Sequence, residues 1–165
     1  MAETFAVHID KGHLKFCAAH FMLFSSTERE PLHGHNYLVS IHLETSALDR
    51  CGCVIDFHQL KEMARQILEP LDHRLLLPAD SPHLSIAQNE AETEIRFGDD
   101  RWIIPSADCI LLPIANSTAE LLAQYLGNQL LQAISTRQAN SVSRLEIVIE
   151  ETPGMSGIWF CDCTK

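Results

Sequence analysis

The chain has 165 residues, 46% hydrophobic and 21% charged, a balance that suits one folded domain with a sizeable core and excludes disordered, collagenous and coiled-coil classes. Lys and Arg number 12 against 22 Asp and Glu, a formal charge of -10, which argues against nucleic acid and anionic membrane as partners. No apolar run reaches a membrane span and the acidic start MAETFAVHID is no signal peptide, so a cytoplasmic protein with free thiols is expected.

In chain order, Phe5, Val7 and Ile9 alternate, and Leu14, Phe16 and Ala18 resume the pattern after Asp-Lys-Gly-His at 10–13. Period two over such a length predicts one long strand with a bulge, or two short ones. Tyr37, Val39, Ile41 and Leu43 alternate likewise, predicting a strand over about 35–45 with one buried face. The period then changes. Phe57, Leu60, Met63, Ala64, Ile67 and Leu68 recur at three and four residues, with Asp56 able to cap and Pro70 to stop, so a helix is predicted over about 57–69.

Residues 79–115 read as an insertion containing a β-hairpin, with Thr93, Ile95 and Phe97 leading to a Gly-Asp-Asp turn and Trp102 to Ile104 returning. Ser117 and Glu120 have capping-box spacing, and Leu122, Leu126 and Leu130 trace a second helix to about 135. Leu145, Ile147 and Ile149 alternate, Pro153-Gly154 turns, and a last strand covers 158–160. The order ββ, α, insertion, α, ββ predicts an α+β domain, an antiparallel sheet with both helices on one face.

Nine histidines in an acidic chain invite a search for metal ligands. His33 and His35 stand two apart at the start of the second strand, so both rings face the same way. His20 closes the first strand in phase with Leu14, Phe16 and Ala18; pairing of the two strands would bring three imidazoles to one point with a fourth position open. A polar rim at a strand edge would have the same spacing. Glu30, three residues before His33, is placed to act as a general base or to sit in an exposed acidic loop. Asp72 beside His73 has the make-up of a proton relay, yet is also a common solvated turn. Glu150-Glu151 ends a strand where a carboxylate could take the paired N–H groups of an amidine-like ring edge, or simply be a charged strand end.

The ordered segments FCAAHF (16–21), EPLHGHNY (30–37), GCVIDFHQLK (52–61), LDHRLL (71–76), NSTAELLA (116–123) and IEET (149–152) resemble the 6-pyruvoyl-tetrahydropterin synthase family, which includes the 6-carboxy-tetrahydropterin synthases. The resemblance covers about 14–77 and 116–160. It implies the tunnelling fold, a ββααββ unit assembled as trimers into a barrel and commonly as hexamers, with zinc on His20, His33 and His35. The implied substrate is a dihydroneopterin triphosphate whose side-chain hydroxyls the metal acidifies. The resemblance further implies that Glu151 anchors the pterin, that Thr118 and Glu120 line its pocket, that Asp72 and His73 form the relay, and that sites lie between subunits.

The departures from the family pattern carry as much information. The pyruvoyl and carboxy enzymes have a cysteine base four residues before the first histidine of His-Gly-His, and here that residue is Arg29. Glu30 instead gives E-x-x-H-G-H, similar to the branch that makes 6-hydroxymethyl-7,8-dihydropterin for folate. A 6-carboxy-tetrahydropterin synthase of the 7-deazapurine (queuosine) route, and a zinc- and pterin-binding module without turnover, are the alternatives. The insertion over 79–115 is longer than the family's usual connection.

Overall fold

The computed structural model describes residues 3–136 and 142–163. Strands β1 (Phe5–His20) and β2 (His33–Thr45) pair antiparallel, from Phe5 opposite Thr45 to His20 opposite His33. The register slips between Ile9 and Leu14. The slip leaves the polar Asp-Lys-Gly-His segment without residues opposite it on β2 and moves the inward phase from odd to even residues, so Ile9 and then Leu14, Phe16, Ala18 and His20 are all buried. One long bulged strand is therefore realised, not two short ones.

Helix α1 (Phe57–Leu68) starts at Asp56, whose carboxylate accepts from the His58 and Gln59 amides at 2.7 and 3.1 Å. A 3-10 turn, Glu69–Leu71, follows, with Pro70 denying the helix another backbone donor. Helix α2 (Ala119–Ser135) begins one residue later than the capping-box spacing indicates. Its N-cap is Thr118, which accepts from the Leu121 amide, because the Ser117 hydroxyl is committed to the Phe21 carbonyl. Strands β8 (Val142–Thr152) and β9 (Met155–Asp162) form the closing hairpin. Both helices pack on the face that carries Phe16, Tyr37, Val39, Ile41, Ile147 and Ile149, as expected from the pattern.

The segment between the helices departs from expectation. After β3 (Arg74–Pro78) the insertion forms three strands, β4 (Ser85–Gln88), β5 (Glu92–Phe97) and β6 (Asp100–Pro105), in an antiparallel meander, and β7 (Cys109–Leu112) follows. A single hairpin was the simpler reading because β4 holds little apolar alternation. The main sheet has the order β7-β3-β1-β2-β8-β9, and its β1–β3 and β3–β7 pairings are parallel. The sheet is thus mixed rather than antiparallel throughout.

The reason lies in β3, whose Leu75-Leu76-Leu77 run lacks alternation because both its faces are buried, as parallel strands generally are. Leu76 enters the main core; Leu75 and Leu77 enter a second one with Phe21, Leu23, Ile95, Phe97 and Cys109, against which Trp102 and Ile104 pack. The meander serves as the crossover that parallel neighbours need. No helix among the described residues is long and apolar enough to cross a membrane.

Candidate metal centre

Pairing of β1 with β2 does bring three imidazoles together. The ligand nitrogens of His20, His33 and His35 all lie within 4.8 Å of one another, on the helix-bearing face at the end of the sheet. Gly34 between the two β2 histidines is required by close approach, since a Cβ there would stand 3.0 Å from the Ala18 carbonyl oxygen.

Hydrogen bonds behind the rings set their tautomers. His20 Nδ1–H donates to the Ser117 carbonyl at 2.8 Å, and His33 Nδ1–H donates to that of Pro31 at 2.8 Å. Each leaves an Nε2 lone pair pointing into the cluster, the arrangement by which backbone carbonyls orient metal-binding histidines. His20 is only 1% exposed, yet its Nε2 has no hydrogen-bond partner. The nearest anion, Glu151 Oε1, is 3.8 Å away, beyond hydrogen-bond range. Burial, reinforced by the neighbouring His33 and His35 and opposed by the Ser117 carbonyl, lowers the His20 pKa from its ordinary value. A buried, neutral, orphaned nitrogen facing two more imidazoles fits a divalent cation such as zinc, for which three histidines leave an open coordination position.

Two carboxylates border the cluster. Glu30 Oε2 is 4.0 Å from His33 Nε2 and accepts weakly from the Met22 amide at 3.3 Å. Glu151, on the inward phase of β8, accepts from the Tyr37 hydroxyl at 3.4 Å. Burial raises the Glu151 pKa above the usual carboxylate range despite opposing contributions from His35 and Tyr37. Burial, helped by Glu151, raises that of Tyr37 as well. Its neighbour Glu150 faces the other way and pairs with Lys11 at 2.7 Å.

Asp72 and His73 do not join this cluster within the chain. The Asp72 carboxylate accepts from the Cys17 amide at 2.7 Å and from His73 Nδ1 at 2.9 Å. The Cys17 amide contributes most, and burial opposes, in holding Asp72 below its ordinary pKa. With Lys15, Cys17, Asn36 and Leu38 they line an open groove of about 580 Å³, on the sheet face opposite the histidines by strand alternation. His73 also has φ 58°, the one positive value at a non-glycine among the described residues, a conformation that persists only where its surroundings impose it. Thr118 serves as helix cap, and Glu120, exposed in the first turn of α2, adds to the negative charge that raises Glu151.

Three contributors escape residue-type reasoning. Ser117 acts on His20 through its main chain, which no side-chain pattern encodes. Asn116 ties the loop after His20 by bonds to both the amide and the carbonyl of Leu23, at 3.1 and 2.9 Å. Tyr37 read as core, and its ring is buried; only its position in phase with His33 and His35 hinted that the hydroxyl reaches the site.

The 6-pyruvoyl tetrahydropterin synthase family model matches residues 9–159. A 6-carboxy-5,6,7,8-tetrahydropterin synthase from Rickettsia felis is 28% identical over 141 residues, 85% of this chain and 91% of that enzyme. The 6-pyruvoyl tetrahydropterin synthase of Plasmodium falciparum superposes with a TM-score of 0.88 at 32% identity, covering 96% of this chain and 98% of that one. That of Plasmodium vivax, solved with a catalytic glutamate replaced by alanine, gives 0.86 at 31% identity over 97% and 99% of the two chains. With a match that runs through both strands of the histidine cluster, helix α2 and the closing hairpin, the chain belongs to the 6-pyruvoyl tetrahydropterin synthase family.

Proposed function

We propose that this protein is a zinc-dependent lyase that shortens the side chain of 7,8-dihydroneopterin triphosphate to give 6-hydroxymethyl-7,8-dihydropterin. The observation that carries the reading is Glu30: its carboxylate stands 4.0 Å from His33 Nε2, while Cys17, three residues before His20, points to the opposite face. A carboxylate replaces a thiol as the base at the cluster. The relative from Plasmodium vivax, whose catalytic residue is a glutamate, supports the same assignment. Zinc on His20, His33 and His35 would supply a Lewis acid that acidifies a side-chain hydroxyl.

The chain's own residues do the rest. Glu151 takes the paired N–H groups of the pterin edge, and Tyr37 steadies its carboxylate; Thr118 and Glu120 border that pocket. Glu30 removes the proton from the hydroxyl on the second side-chain carbon. The bond between the first and second carbons then breaks, leaving a two-carbon aldehyde with the triphosphate. Its electron pair passes to the first carbon and into the ring, and protonation of that carbon gives the hydroxymethyl product. Asp72 and His73, facing away within the chain, act as relay in the site of a neighbouring subunit. Assembly into a trimeric or hexameric barrel of single-domain subunits follows, supported by the edge strand β9, whose Ile158 and Phe160 are exposed.

A second reading is a 6-carboxy-tetrahydropterin synthase of the 7-deazapurine route, favoured by the name of the Rickettsia felis relative. Incubating zinc-loaded protein with 7,8-dihydroneopterin triphosphate and identifying the product by mass spectrometry separates the two. The expected product is 6-hydroxymethyl-7,8-dihydropterin, lost in Glu30→Ala. A 6-carboxy product would move the protein to the second reading, and unchanged substrate would leave a binding module.

A further inference from the structure

Glu30 sits in a loop, residues 21–32, which has little regular structure of its own apart from a bridge between Leu23 and Arg29. A base must be held within a fraction of an ångström of its proton. Asn116 ties one side of this loop at Leu23; the other side is held from the inserted meander.

The contacts converge on Arg29. Its guanidinium lies 4.6 Å from the Trp102 ring centroid on β6 and 5.9 Å from that of Phe21, while Phe21 and Trp102 stack on each other at 5.3 Å. Nε and Nη2 both donate to Asp100 Oδ2, at 3.0 and 2.5 Å, at the start of β6. Nη1 donates to the Glu30 main-chain carbonyl at 2.8 Å, and the Glu30 amide donates to Met22 at 2.9 Å. The Glu30 backbone is thus fixed at both its polar groups. One of these bonds comes from a side chain whose own position is set by two residues of the insertion.

We propose that Arg29 is a positioning residue for Glu30 and that the inserted meander, through Asp100 and Trp102, is the clamp that holds it. The proposal rests on the reading of Glu30 as the base. Asp100 is half-exposed, so its ion pair adds little to the stability of the fold. Its effect falls on the placement of one loop. A planar guanidinium that stacks and donates to a carboxylate and a carbonyl at once has no equivalent in lysine.

The test is steady-state turnover of 7,8-dihydroneopterin triphosphate by the zinc-loaded full chain, comparing Arg29→Gln, Asp100→Ala and their double variant with the parent, and Glu30→Gln alongside. Each single variant is expected to lose about tenfold in kcat, less than the ~100-fold that a 1 Å misplacement can cost, with KM and zinc content unchanged. The double variant is expected to lose no more than either single one, because both remove the same constraint. Arg29→Lys, which keeps the charge without the fork, is expected to recover little. Parent-like kcat in Asp100→Ala, or losses that multiply in the double variant, would overturn the clamp while an inactive Glu30→Gln left the function standing. Full activity in Glu30→Gln would overturn both.

Discussion

Asp72 shows how much a single backbone contact determines at the residue scale. Its carboxylate is bonded chiefly to the Cys17 amide, and its folded pKa lies below the unfolded value of about 3.9. The stabilisation is therefore complete above the unfolded value and is lost as pH falls through the lower folded one. Asp72→Asn is expected to unfold at lower urea than the parent at neutral pH, with the gap closing in acid. A gap unchanged down to pH 2 would show that charge plays no part.

The residues of the site were legible in the sequence to unequal degrees. His33 and His35 could be read from strand periodicity, and His20 from the phase of Phe16 and Ala18. The tautomers could not, because they depend on carbonyls of Ser117 and Pro31 that any residue would supply. Neither could the separation of Asp72 and His73 from the histidines, since sequence adjacency to helix α1 says nothing about which sheet face the turn reaches.

At the scale of elements, α2 and β9 pack main chain against main chain. A Cβ at Gly157 would stand 2.5 Å from the Glu120 amide nitrogen and 2.6 Å from the Ala119 carbonyl carbon. Both neighbours are main chain and cannot rotate aside. Gly157→Ala is expected to cost about 1–3 kcal/mol as overpacking and to shift the start of α2, where Ser117 orients His20. Denaturation midpoints and zinc affinity measured together check this; a variant as stable as the parent would mean that the helix start yields freely. The strand pairs and both helices were readable because their periods are long and clear. The parallel strands β3 and β7 were not, being four or five residues long and without alternation. The sequence of the meander reads as a hairpin because β4 is held by pairing with β5 and not by its own pattern.

For the whole molecule, the placement of the histidines on one sheet face and of Asp72 and His73 on the other leads to a prediction about assembly. If each site joins Glu30 of one subunit to His73 of the next, Glu30→Ala and His73→Ala proteins are each inactive alone. Unfolded together and refolded, they are expected to regain roughly a quarter of parent activity, from random mixing around a closed ring. Activity absent from the mixture but present in a refolded parent control would confine the relay to its own chain.

The strand β3, shared between the two cores, has an evolutionary consequence. Leu75, Leu76 and Leu77 leave it no solvent-facing side, so a substitution at any of them meets a packed core, the main one at Leu76 and the second one at Leu75 and Leu77. The outer surface of the meander, apart from Asp100 and Trp102, meets no core and can drift. Descendants of this chain would therefore vary the rest of the insertion's surface while the short strand that anchors it, and the Asp100 and Trp102 contacts with Arg29, change little.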